Sequence, residues 1–100
     1  MQIAFIKTYE IDDSKTITVN LCKDLAGNRP VEAIYITAGT GIEAVTVESP
    51  ADVEIKGFNM ADLELDSFAN DTPIMYIVEC FDKVTVTATG DGTLTIKGVY

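Results

Sequence analysis

The sequence predicts an all-β domain: a single antiparallel β-sandwich, jelly-roll or immunoglobulin-like, with about nine short strands. Three observations carry that expectation. Runs rich in Val, Ile, Thr, Tyr and Phe recur at intervals of roughly eight to twelve residues. Gly, Pro, Asn and Asp separate them. No stretch sustains the period of an amphipathic helix. The length of 100 residues is enough for one apolar core, so residues 1–100 are read as one domain. With 47% apolar and 23% charged residues the composition is that of a chain that folds.

The first expected strand is Gln2–Ile6 and the second Lys15–Cys22, parted by the turn residues Asp12, Asp13 and Ser14. Successive strand residues point to opposite faces, so Ile17, Val19 and Leu21 face one side and Thr16, Thr18 and Asn20 the other. The stretch from Lys7 to Ile11 lacks turn residues, which leaves open an arm reaching a neighbour. Val31–Ala38 follows the break Gly27-Asn28-Arg29-Pro30, and Ile42–Glu48 follows Gly39-Thr40-Gly41. Ser49-Pro50 and Gly57 bracket Asp52–Lys56, and Ala61–Asp66 comes next. Asn70-Asp71-Thr72-Pro73 precedes Ile74–Phe81. Lys83–Thr89 and Thr93–Val99 close the chain as an expected hairpin, in which Gly90-Asp91-Gly92 supplies positive-φ positions. On it Val84, Val86, Leu94 and Ile96 should form one patch of the core, with Thr85, Thr87, Thr93 and Thr95 on the outer face.

Two runs break the alternation. Ala33-Ile-Tyr-Ile36 and Ile74–Val78 are apolar on both parities, so each is central in its sheet or has its outer face covered. A partner chain is one such cover.

The net charge of −9 repels phosphate backbones and anionic head groups, which disfavours nucleic acid and membrane surfaces as partners. The longest apolar run stops at Glu79, far short of a bilayer span. The opening Met1-Gln-Ile-Ala-Phe-Ile has no basic n-region and meets Lys7 early, so cytoplasmic synthesis without a signal peptide is expected. The absence of His removes the commonest general base and metal ligand. Gly39-Thr40-Gly41 lacks the later Gly and the following helix of a phosphate-cradling loop. No catalytic, cofactor-binding or metal-binding residue is assigned, and no cofactor is expected. Asp62, Glu64 and Asp66 share one strand face at about 7 Å spacing, too far apart to converge on one Ca²⁺ without another loop or chain. They read as a solvated face over Leu63 and Leu65. Cys22 and Cys80 are expected to be unpaired thiols.

In general character, as a small acidic β-rich chain without an export signal or catalytic side chains, the protein resembles the β-sandwich accessory proteins of tailed-phage virions, such as head-decoration or tail proteins. The resemblance spans the whole chain and transfers no functional residue. It implies a non-enzymatic structural protein held to a capsid or tail lattice through a β-rich surface, with the virion as its place of action. The residues leave two other readings open. An immunoglobulin-like or carbohydrate-binding adhesion module would show an aromatic patch at the loop ends, whereas lattice binding predicts a flat apolar patch over one sheet. An enzyme or Ca²⁺-dependent protein would need a buried acid pair in a cleft. The expected partners are proteins, either further copies of the chain or a capsid or tail lattice. Contact is expected through Met1, Gln2, Ile3, Val99 and Tyr100, away from the acid-rich strands Asp52–Lys56 and Ala61–Asp66, because burying unpaired carboxylates is costly.

Overall fold

A computed structural model describes residues 3–21, 31–59, 69–78 and 81–100. They form six strands: β1 (Ile3–Asn20), β2 (Ala33–Ala38), β3 (Ile42–Glu48), β4 (Gly57–Asn59), β5 (Ile74–Ile77) and β6 (Lys83–Val99). All pair antiparallel in one sheet of order β1-β6-β2-β5-β4, with β3 beside β6. Among the described residues there is no helix, and neither a second sheet nor nine strands. The all-β class holds, and the described residues form one sheet.

The expected hairpin at residues 90–92 does not exist. β6 runs straight through Gly90-Asp91-Gly92, and β1 runs through Asp12-Asp13-Ser14, so four expected strands merge into two long ones. Asp12 pairs with Asp91 and Asp13 with Gly90. The break at residues 39–41 lies on the same line. β2 pairs with β6 from Ala33 opposite Val99 to Ala38 opposite Leu94, and β3 resumes that register with Ile42 opposite Gly90. β2 and β3 are thus two halves of one interrupted strand, and three apparent turns form a single crease across the sheet.

The crease is a bend, as strand length shows. A flat strand of β1's 18 residues would span roughly 56 Å, whereas the longest dimension of the molecule is 37 Å. Left-handed backbone makes the bend: Asp13 has φ 72°, Gly90 φ 110° and Gly41 φ 106°. A Cβ on Gly41 would lie 1.9 Å from the Asp91 carbonyl oxygen, and one on Gly90 would lie 2.3 Å from the Gly41 carbonyl oxygen. Only glycine permits this approach. The Asp91 N–H donates to the Gly41 carbonyl at 3.0 Å, and the Asp13 N–H donates to Asp91 Oδ1 at 3.1 Å. Asn70 clamps the third strand by donating from Nδ2 to the carbonyls of Gly39 at 2.8 Å and Ile42 at 3.0 Å. The Asp71 N–H donates to the Ala38 carbonyl at 2.7 Å.

Bending lets the sheet cover its own apolar face, since no described helix is there to do so. Ile11, Ile17 and Val19 of β1 join Ile34 and Ile36 of β2, Ile42 and Val47 of β3, and Ile74 and Tyr76 of β5 in one buried cluster. β6 supplies its spine with Val84, Val86, Ala88, Leu94 and Ile96, each at most 1% exposed. The four residues expected to pack together do so, as one face of a single strand. Ile11 is buried within β1, so the stretch from Lys7 to Ile11 is strand and not a free arm.

Residues 52–56 are not a strand. Only Glu54 bridges, to Glu48, and the loop is turned by Ser49, whose Oγ accepts from the N–H groups of Ala51 (3.3 Å) and Val53 (3.4 Å). Asp52, Val53, Glu54 and Lys56 are exposed, in line with the expected solvent-facing acids. The sequence gives no sign of β4, because Gly57 reads locally as a breaker. Its place in the sheet comes from contact: a Cβ on Gly57 would meet the Tyr76 ring at 2.7 Å. The expected strand Ala61–Asp66 and both Cys22 and Cys80 lie outside the described residues.

Candidate protein-docking face

The crease divides the sheet into two arms, and the outer face of the arm holding β2, β4 and β5 is apolar. Residues directly opposite on paired strands point to the same side, so the pairing can be read as rows. One row runs across five strands as Phe58, Met75, Tyr35, Lys97 and Ile6. The next runs across four as Ile77, Ala33, Val99 and Ile3. On the opposite parity of the same strands lie the buried Ile34, Ile36, Ile74, Tyr76, Leu94 and Ile96, so both rows are on the outside.

Large apolar side chains are exposed here: Ile3 54%, Ile6 57%, Phe58 38% and Ile77 42%. Only one other large apolar side chain of the described residues is comparably exposed, Val53 in the loop after β3. Val99 and Ala33 sit between these side chains and are themselves buried. The single charge in the two rows is Lys97, whose Nζ lies 5.2 Å from the centroid of the Tyr35 ring, a cation–π arrangement. A row of threonines borders the patch: Thr8, Thr95 and Thr37, with the Thr8 and Thr95 hydroxyls 3.3 Å apart.

Of the terminal residues expected to touch a partner, Ile3 is exposed in this patch and Val99 lies at its centre, buried. Tyr100 is half-buried and has an interaction within the chain, and Met1 and Gln2 lie outside the described residues. Sequence reasoning did not assign Tyr35, Phe58, Met75, Ile77 and Lys97 to a site. The signal for Tyr35, Met75 and Ile77 was present, since both runs that are apolar on both parities fall on β2 and β5, side by side. What was missing was the register that aligns them with Ile6.

One groove of about 220 Å³ opens where the bent sheet fails to close, lined by residues 43–46 of β3 with Glu54, Ile74 and Tyr76. β3 and β5 are not neighbours in the sheet, so their shared groove is a direct consequence of the bend. Two acidic residues, Glu43 and Glu54, are part of its lining.

No protein-family model and no curated protein matches the chain. Among solved structures, the crystal structure of SPBc2 prophage-derived protein YomS is similar, with a TM-score of 0.53 and 13% sequence identity over 94% of this chain and 90% of that one. At that identity the likeness is one of fold.

Proposed function

We propose that the protein is a non-enzymatic accessory component of a phage particle, docking on a capsid or tail lattice through the outer face of the β2–β5 arm. The observation that carries this reading is the pair of apolar rows, where Ile3, Ile6, Phe58 and Ile77 are exposed around the buried Ala33 and Val99. A chain of this size gains nothing for its own core by keeping four large apolar side chains in water on one sheet surface. A partner that covers them returns the hydrophobic free energy, about 25 cal/mol per Å². The patch spreads across paired strands of the sheet and not over loop ends, which favours docking on protein over a glycan-binding module. The prophage-derived neighbour, alike in fold, adds support for a phage setting.

The test is co-sedimentation of the purified protein with capsids and tails of the phage that encodes it, separated on a density gradient. The wild type should travel with one of the two, and Ile6→Asp should abolish binding while retaining the wild-type melting transition. No association with either particle, or association that Ile6→Asp leaves intact, overturns the reading.

A further inference from the structure

We infer that the docking face selects a partner surface that is flat and apolar but carries one carboxylate, set to meet Lys97, and that the same lysine bars pairing with a second copy. This rests on the docking face proposed above and deepens it to the chemistry of the occupant.

The argument starts from where Lys97 stands. It is fourth of five in its row, with Tyr35 on one side and Ile6 on the other, so anything covering the patch covers its ammonium group. No carboxylate of the described residues is within ion-pair distance of it. The Tyr35 ring holds the ammonium from one side at 5.2 Å and leaves its remaining donors to water. A wholly apolar partner would strip that water and leave a buried, unpaired cation, which is the costly case. An acidic group on the partner removes the penalty and fixes the register of docking.

The apolar rows of a second copy do not offer that group. Neither apolar row contains an acid, so a two-fold pairing of these faces sets Lys97 against apolar side chains or against its own counterpart. The net charge of −9 on each copy adds long-range repulsion. Five strands by two rows is roughly 20 Å by 14 Å, on the order of 300 Å². A standard-size interface buries about 800 Å² per partner, so the rows suit the apolar centre of a contact whose rim is polar, beginning with the Thr8–Thr95–Thr37 row.

Two probes of matched shape separate the contributions. 8-Anilinonaphthalene-1-sulfonate is apolar and anionic, its sulfonate standing in for the partner carboxylate; N-phenyl-1-naphthylamine is its neutral counterpart. With isotope-labelled full-length protein, both should shift the backbone amides of Ile3, Ile6, Tyr35 and Ile77. Lys97→Gln should weaken the anionic probe by roughly three- to fivefold and leave the neutral one unchanged. In sedimentation equilibrium the wild type should be monomeric, and Lys97→Met should associate. If both probes bind these rows but Lys97→Gln has no effect on the anionic one, the carboxylate inference falls and the docking face stands. If neither probe reaches the rows, the docking face itself falls. A wild-type dimer that Ile6→Asp dissociates would replace the acidic partner with a second copy.

Discussion

The outer surfaces of the two arms differ although they belong to the same sheet and share the same central strand. On the β3 arm the outer rows read Thr18, Thr85, Glu48; then Thr16, Thr87, Thr46; then Ser14, Thr89, Ala44. On the β2–β5 arm, past the crease, they read Thr8, Thr95, Thr37 and then turn apolar. The inner surfaces do not differ in this way: Ile17, Val86 and Val47 form one inner row, and Ile96, Ile36 and Ile74 another. Threonine keeps a strand extended and its outer face wet, because its β-branched side chain favours the pleated surface and its hydroxyl stays hydrated. The β3 arm is therefore finished as a solvent surface, and the β2–β5 arm is not. The difference teaches that the buried face and the exposed face are written on opposite parities of the same strands and can change independently.

The largest expected effect is on what the arms share. Val86 is fully buried in the inner row between Ile17 and Val47, so Val86→Asp should prevent folding. An unpaired buried charge costs several kcal/mol against a total stability of about 5–15 kcal/mol. Circular dichroism and a thermal melt decide it; a soluble variant with a cooperative transition near the wild type's would show that this row is not the core.

Next comes the crease that separates the arms. Gly90→Val forces a β-branched residue into φ 110° with its Cβ against the Gly41 carbonyl. The expected loss is about 3 kcal/mol, a fall in Tm of roughly 12–24 °C for a domain this size. A loss under about 1 kcal/mol would mean the crease tolerates ordinary backbone and that the arms are not set by it.

A smaller effect is expected inside the apolar arm. The Phe5 ring lies over Gly98, where an added Cβ would come within 2.3 Å of the ring. Gly98→Ala should cost about 1–2 kcal/mol, and Phe5→Ala should relieve most of that penalty in the double variant. Chemical denaturation of the four-member cycle measures the coupling; additive losses would place the ring elsewhere in solution.

The smallest stability effects should fall on the outer rows, where the arms are most clearly told apart. Thr87→Val on the β3 arm and Tyr35→Thr on the β2–β5 arm should each change stability by no more than about 0.5–1 kcal/mol. Only Tyr35→Thr should weaken particle binding in the gradient assay. Equal loss of binding from both would erase the distinction between the arms.

Much of the strand pattern was legible in the sequence. Ile42–Glu48 appears with its expected bounds, and the alternation of Val84, Val86, Leu94 and Ile96 against threonine marks the core face correctly. β2 begins at Ala33, two residues inside the expected strand, and β5 ends at Ile77, four residues short of it. The exposed apolar face was half legible: apolar character on both parities marked β2 and β5, while Phe58 carries no signal outside the register that aligns it.

The sequence by itself determined the all-β class, the inward parity of the strands and the places where the backbone must leave ordinary extended geometry. Tertiary structure alone decided what happens at those places. A glycine at positive φ is equally suited to reversing a chain or to creasing a strand that continues, because φ is a property of one residue and pairing is a property of distant ones. At residues 90–92 the choice was made by β1, which continues its pairing past Asp12 and Asp13, and by Gly41, which lets the next strand approach. The apolar rows share that dependence: each residue was visible in the chain, and only the register across five strands made them one surface.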